Sequence, residues 1–438
     1  MRTAPRVDWP APTAPGPLDA VIRLPGSKSL TNRVLVLAAL ARDSSRLHRP
    51  LRSRDTLLMV DALRALGTGI EDTSDGGWKV TPGPVRPAPW IDCGLAGNVM
   101  RFVPPVAALG VGATGFDGDE AARRRPMAPL LQALRSLGVD IDDGGRAALP
   151  LTVHGHGFVR GGAVTLDASP SSQFVSALLL AGARFEEGVS IHHDGPALPS
   201  LPHIEMTVHT LREAGVVVDD EVPNTWRVEP GAITALDVTI EPDLSGAAPF
   251  LAAALVAGGR VRVPDWPLRT TQGGDEIREI LTLMGADVVL DDRGLVVTGR
   301  GSIDGVDVDL HESSELTPIV AALAALAEAP STIRGVAHIR GHETDRLAAL
   351  ATELGRLGAQ VSETTDGLRI TPGRLRGGLF HTYADHRLVM AAAVLGLKVP
   401  GVVIEDVDTV GKTMPDFPAL WADLLVRVST LDGSGPPP

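Results

Sequence analysis

Leu24-Pro25-Gly26-Ser27-Lys28-Ser29-Leu30-Thr31-Asn32-Arg33, running on into Val34-Leu35-Val36-Leu37-Ala38-Ala39-Leu40, joins a Gly-Ser loop to an apolar helix. A helix start leaves first-turn N–H groups open and carries roughly half a positive charge, and here Lys28, Ser29 and Arg33 add two cations and a hydroxyl donor. Such a joint suits an anion. The same design recurs down the chain. A polar or glycine-containing cap precedes an Ala/Leu/Val-rich run at Gly97-Asn98-Val99-Met100-Arg101, Ser171-Ser172-Gln173-Phe174, Ser245-Gly246, Ser313-Ser314-Glu315-Leu316 and Asp385-His386-Arg387, about 70 residues apart. A second cassette alternates with it and ends in glycine, as at Gly67, Gly138, Gly215, Gly285 and Gly358, each followed by a short β-type run. Glycine just past a last helical turn is a stop signal. The chain reads as six copies of one helix-and-strand unit of an α/β protein.

A chain of 438 residues exceeds one core and implies two or three domains, which 44% hydrophobic residues suffice to fill. A net charge of −13 and only 3% aromatic residues argue against nucleic-acid and membrane-surface partners, so any basic site is gathered locally by folding. The single cysteine, Cys93, excludes an internal disulfide and fits a reducing, cytoplasmic compartment. It reads as a small buried apolar residue. No apolar run approaches the ~20 residues of a membrane span. Met1 to Pro17, rich in Ala and Pro, and Ser434 to Pro438 read as loosely held ends.

Along the chain, Arg123-Arg124-Arg125 stands ahead of a helix expected to begin near Pro126, a placement that sets guanidinium groups beside open N–H donors. Ser169, Ser171, Ser172 and Gln173 offer more hydroxyl and amide donors than N-capping needs. His154, His156, His192 and His193 lack a partner set with metal-ligand spacing, so no metal site is expected. Ser200 lies in a proline-stiffened loop where it can reach a ligand. The second half adds carboxylates and cations at Glu312, Glu315, His342, Glu343, Arg346, Asp385, His386, Arg387 and Lys412. All of these groups fall at or just before expected helix starts. They can therefore converge on one side of two similar domains, with a boundary just before Glu241.

Taken together, Leu24 to Ser29 with Asn32-Arg33, Gly97 with Met100-Arg101, Arg125-Pro126-Met127, Ser171 to Phe174, Glu343 to Arg346, Asp385-His386-Arg387 and Gly411-Lys412-Thr413 resemble the 3-phosphoshikimate 1-carboxyvinyltransferase family over nearly the whole chain, in order. The resemblance implies a two-domain inside-out α/β barrel of six βαβαββ repeats, three per domain. It places residues 1–24 as a tail plus the first strand of the second domain, 25–240 as the first domain and 241–438 as the second. The sister transferase acting on UDP-N-acetylglucosamine typically carries a cysteine in the loop matching Asp119 to Met127, and none stands here.

The implied reaction moves the enolpyruvyl group of phosphoenolpyruvate to the 5-hydroxyl of shikimate 3-phosphate by addition and elimination, without metal or organic cofactor. By matching positions, Lys28, Ser29, Arg33, Ser171, Ser172, Gln173, Ser200, Glu315 and His342 belong to the shikimate 3-phosphate side. Lys28, Gly97, Arg125, Gln173, Arg346, Arg387 and Lys412 belong to the phosphoenolpyruvate side. Glu315 matches the carboxylate that activates the hydroxyl, and Lys28, Glu343 and His386 match groups handling the proton at C3 and the leaving phosphate. Four positions depart from the family pattern: His342 stands for Lys, Glu315 for Asp, and Asn98 and Phe102 for Thr and Pro. Partners are expected to be these small molecules only, and the chain a monomer.

Overall fold

The computed structural model describes residues 7–426. Six small open sheets alternate with helices, five of four strands and one of three. The five share one plan. In the third unit, Gly162–Leu166 and Val189–His193 run parallel, Thr225–Val228 lies antiparallel to the second of these, and Val218–Asp219 closes the sheet antiparallel to Thr225–Val228. Parallel neighbours need a crossover, and a helix supplies it in four of the six sheets. The glycines that end the second helices, Gly67, Gly138, Gly215, Gly285 and Gly358, all lie at φ between +74° and +113°, where a side chain would be strained.

The first helices of the six units are α1 (Lys28–Leu40), α2 (Gly97–Ala107), α3 (Gln173–Gly182), α4 (Leu244–Ala257), α5 (Thr317–Leu326) and α6 (His386–Gly396). Their sequences are apolar nearly all round, and such helices must be enclosed. They are: α1, α2 and α3 pack on one another inside one hydrophobic cluster, and α4, α5 and α6 do the same inside another. The strands alternate buried and exposed positions, as in Leu18–Val21, so the sheets form the outer surface. Helices inside and sheets outside is the inverted layering of the fold.

Strand exchange ties the two lobes. Leu18–Val21 leads into α1 of the first lobe, yet pairs in parallel with Gly259–Val263 and packs in the second cluster. Asp237–Thr239 leads into α4 of the second lobe, yet pairs with Ser45–His48 of the first. The two crossing segments touch at Gly26 and Pro242. A Cβ on Gly26 would meet the Arg49 carbonyl oxygen at 2.3 Å, so the crossing admits only glycine there.

Part of the expected loose N-terminus is structured. Trp9–Pro10 pairs antiparallel with Val402–Ile404, in the slot that the fourth strand fills in the other units, and Ala11 is buried. Among the described residues the sixth unit has no strand after its second helix, and a strand from near the start of the chain takes that slot. Residues 1–6 and Ser434 to Pro438 lie outside the described residues. The helix expected near Pro126 begins at Ala128, with Pro129 in its first turn.

Candidate active site

All six buried helices begin at one cleft. Its lining takes Lys28, Ser29 and Arg33 from α1, Asn98 and Arg101 from α2, Ser171 and Gln173 from α3, Ser245 and Gly246 from α4, Glu315 from the turn before α5, and His386 and Arg387 from α6. Six helix ends bring open N–H groups and partial positive charge together. The cleft is also basic in its side chains: Lys28, Arg33, Arg101, Arg125, Arg346 and Arg387 face Asp243, Glu315 and Glu343. In a chain of charge −13 this concentration of cations marks a site for anions.

In the first lobe, Arg33 is buried and holds the helix Pro202–Glu213 below it, donating to the Thr207 hydroxyl at 2.8 Å and the His203 carbonyl at 2.8 Å. Burial without a counter-charge pulls its pKa down to about 9, so this guanidinium carries an unbalanced charge at neutral pH. Arg101 donates to Gln173 Oε1 at 2.8 Å and Ser171 Oγ at 3.0 Å, stacked over Phe174, while its buried Nε has no partner. Of the three successive arginines, Arg123 pairs with Asp117 and Arg124 with Glu120. Only Arg125 enters the cleft, bonded to the Leu95 carbonyl at 3.2 Å and lying across Gly97. Lys28 Nζ stands 3.6 Å from the buried Asp55. Burial lowers its pKa, Asp55 opposes this, and Lys412 and Arg387 add to the lowering.

The second lobe supplies a chain of buried ion pairs. Glu343 lies between Lys412 and Arg346, at 2.5 and 2.9 Å, and Arg346 reaches Asp385 at 2.7 Å. Burial alone would raise the pKa of Glu343, but Lys412, Arg346 and Arg125 outweigh it and hold the carboxyl well below its usual range. Arg346 also donates to His342 Nδ1 at 3.1 Å, so that nitrogen is an acceptor and the ring proton resides on Nε2. Burial and Arg346 keep His342 neutral. His386 is buried with neither ring nitrogen hydrogen-bonded; Asp385 Oδ1 at 3.6 Å is too far. Burial, Arg387 and Lys412 depress its pKa, leaving a neutral ring with both nitrogens free for a ligand. Glu315 is partly buried, which would raise its pKa, yet His203 at 3.4 Å and Arg387 bring it down to about 2.

The lobes meet across this cleft. The Lys28 N–H donates to Asp243 Oδ2 at 3.2 Å, the Ser200 N–H to the His311 carbonyl at 3.1 Å, and the Leu201 N–H to Glu312 Oε2 at 2.8 Å. Of the residues singled out in the sequence, Lys28, Ser29, Arg33, Arg125, Ser171, Gln173, Glu315, His342, Glu343, Arg346, His386 and Arg387 line the cleft. Gly97 supports Arg125 from behind, Lys412 reaches in through Glu343, and Ser200 faces Ser314 at 3.4 Å. Ser172 is buried between the cleft-lining Ser171 and Gln173. Lys412 sits at the end of a 3-10 turn, Val407–Lys412, and not at a helix start. Sequence reasoning missed His203, Arg101, Asp243 and Asp55 as site components and gave Asp385 no role of its own. Arg101 and Asp385 stood in motifs already singled out, whereas His203 has meaning only through Glu315 in the other lobe.

Comparison with known proteins agrees with this picture. Residues 12–421 match the family model described as EPSP synthase (3-phosphoshikimate 1-carboxyvinyltransferase). A 3-phosphoshikimate 1-carboxyvinyltransferase from Kocuria rhizophila is 56% identical over 428 residues, covering 95% of this chain and 96% of that protein. Among solved structures, an EPSP synthase from Acinetobacter baumannii superposes with a TM-score of 0.80 at 24% identity, covering 95% of this chain and 98% of that one. The enolpyruvyl transferase NikO from Streptomyces tendae gives 0.72 at 19% identity, covering 96% and 98%. These two likenesses show the fold.

Proposed function

The chain belongs to the EPSP synthase (3-phosphoshikimate 1-carboxyvinyltransferase) family, and from that premise we propose how its cleft divides the work of the reaction. The enzyme transfers the enolpyruvyl group of phosphoenolpyruvate to the 5-hydroxyl of shikimate 3-phosphate and releases phosphate, a step of aromatic amino-acid biosynthesis. The observation that carries the assignment of roles is the convergence of six helix starts and six cations on one cleft, since both substrates bear a phosphate and a carboxylate.

In our reading, Ser29, Arg33, Ser171, Ser172, Ser200 and His342 serve shikimate 3-phosphate, with Gln173 between the two substrates. Lys28, Gly97, Arg125, Arg346, Arg387 and Lys412 serve phosphoenolpyruvate. Glu315, ionised, accepts the proton of the 5-hydroxyl as its oxygen bonds to C2, when that proton becomes strongly acidic. The C3 proton comes from the Lys28–Glu343 region. Glu343 is clamped as a carboxylate by Lys412 and Arg346; an arriving phosphate and carboxylate compete for those cations, raise its pKa and let it carry the proton. In the elimination the same group takes a proton back from C3 as the C2–O bond to phosphate breaks; the departing phosphate takes up the proton held by Glu315 and leaves into a field of fixed donors, with His386 free to hydrogen-bond it. We read residues 25–240 and 241–438, the latter with the strand from the 1–24 segment, as the two domains that close on the substrates. A monomer in the cytoplasm is the setting we infer. No helix among the described residues is long and apolar enough to cross a membrane.

The test is phosphate release from the two substrates, with product identified by mass. Lys28→Ala and Arg125→Ala are each expected to lower kcat/KM by about 2–4 kcal/mol in transition-state terms, on the scale of a lost charge-assisted contact. Near-normal turnover in both variants would contradict the roles assigned to them.

A further inference from the structure

The segment that delivers Asp385, His386 and Arg387 to the cleft is bent into a shape its residues do not favour. Tyr383 and Ala384 are consecutive non-glycine residues at φ +54° and +56°, left-handed backbone that L-residues rarely adopt. Such a turn persists only where its surroundings over-determine it. The surroundings here are one face of the helix Arg346–Leu357. Arg346, at its start, binds Asp385 with Nε at 2.7 Å and a second nitrogen at 3.2 Å. Glu353, two turns on and so on the same face, is fully buried and takes the Tyr383 hydroxyl on Oε1 at 2.6 Å and the His381 N–H on Oε2 at 3.2 Å. Arg356 completes the shell of Glu353 at 2.6 Å. Both carboxylate oxygens of Glu353 are thus committed to residues within six positions of Arg387.

We propose that Glu353 and Tyr383 are positioning residues for phosphoenolpyruvate: they pin the turn Thr382–Ala384 so that Asp385 meets Arg346, and Arg346 and Arg387 face the substrate at fixed separation. The proposal rests on the assignment of Arg346 and Arg387 to phosphoenolpyruvate. Neither Glu353 nor Tyr383 lines the cleft, so their effect passes through the two arginines. Burial and Glu353 push the Tyr383 phenol up to about 12, and its proton stays in place to hold the bond through the working pH range.

Tyr383→Phe removes one hydroxyl and leaves the ring, while Glu353→Gln keeps the shape and loses one of two acceptor oxygens. Each is expected to raise the KM for phosphoenolpyruvate by about tenfold, with kcat changed less than about threefold and the KM for shikimate 3-phosphate within about twofold. A general loosening of the fold would move both KM values together, and that result, or no change in either, overturns the proposal. Tyr383 is the only tyrosine of the chain, so 3-fluorotyrosine incorporation gives a single fluorine resonance in the unmutated enzyme. That resonance is expected to move when phosphoenolpyruvate joins the shikimate 3-phosphate complex. A resonance blind to phosphoenolpyruvate overturns the clamp even if the variants fail to fold. Wild-type turnover with an unchanged KM in the variants removes the clamp alone. Absence of wild-type turnover removes the reaction and the clamp with it.

Discussion

Gly97 shows how narrow the tolerances of this cleft are. A Cβ at that position would stand 3.0 and 3.1 Å from the two terminal nitrogens of Arg125 and 3.1 Å from Gln173 Oε1. These are ends of flexible side chains, so Gly97→Ala is expected to fold normally while displacing both groups by a few tenths of an ångström. Because Arg125 and Gln173 are assigned to phosphoenolpyruvate, its KM should rise about tenfold, equivalent to about 1.4 kcal/mol, with the melting temperature unchanged. Steady-state kinetics beside a thermal melt decides it: an unchanged KM would mean that Arg125 does not hold the substrate. At this scale the sequence was most legible where a residue has a charge and a cap beside it, as Lys28, Arg125 and Glu343 have. It was least legible where a side chain acts on another far along the chain. Nothing near His203 points to Glu315, and nothing near Asp55 points to Lys28. Arg33 read as one more cation of a cradle; its bonds to Thr207 and the His203 carbonyl give it a second task, fixing the floor of the cleft.

Among the elements, the helices were readable because their two signals reinforce each other: an apolar run that must be enclosed, and a polar cap that says where it begins. The glycine stops were equally clear, since left-handed backbone after the last turn leaves few alternatives to glycine. Short non-repeating turns were not. The 3-10 segments Ser314–Leu316 and Val407–Lys412 carry Glu315 and Lys412 without any periodicity to announce them. Asp243 illustrates an element boundary with two roles. Its Oδ1 caps α4 by accepting from the Gly246 N–H at 2.7 Å, and its Oδ2 accepts from the Lys28 N–H across the lobes at 3.2 Å. Asp243→Ala should therefore cost about 1 kcal/mol or somewhat more of stability, and Asp243→Asn, which keeps a capping oxygen, should recover most of it. Calorimetry on the pair checks this; equal losses in both variants would assign the effect to the cross-lobe bond and not to the cap.

Over the whole molecule, six units could be counted from the sequence, but their exchange of strands could not be seen in any one unit. Leu18–Val21 and Asp237–Thr239 look like ordinary strands of the units they precede; the family resemblance, not any local pattern, put the first of them with the second domain, and the strands pair with Gly259–Val263 and Ser45–His48 of the other lobe. Folding also buries titratable groups of the cleft and its walls, and this sets how the fold responds to acid. His338, His342 and His386 all have their pKa values lowered, first by burial and then, for His342 and His386, by neighbouring cations; His338 comes down to about 4. A histidine whose pKa is lower folded than unfolded binds more protons in the unfolded chain. Its penalty is absent above the unfolded value of about 6.5 and grows as the pH falls toward the folded value, by at most about 1.4 kcal/mol per pH unit for each histidine. Glu343 and Glu315 act in the same direction at lower pH. Their depressed pKa values contribute stability that is complete above about 4.5 and fades as the pH approaches the folded value, about 2 for Glu315. His48, raised by Asp237 and Asp75, works the other way, but it is solvent-screened on the surface and has little weight. The ligand-free enzyme should accordingly lose stability steadily from about pH 7 to about pH 5, read as a falling urea midpoint, and His338→Gln should make that slope shallower. A midpoint that stays level over this interval would mean that these histidines are already open to water in the free enzyme. The cleft would then close around them only when substrate arrives.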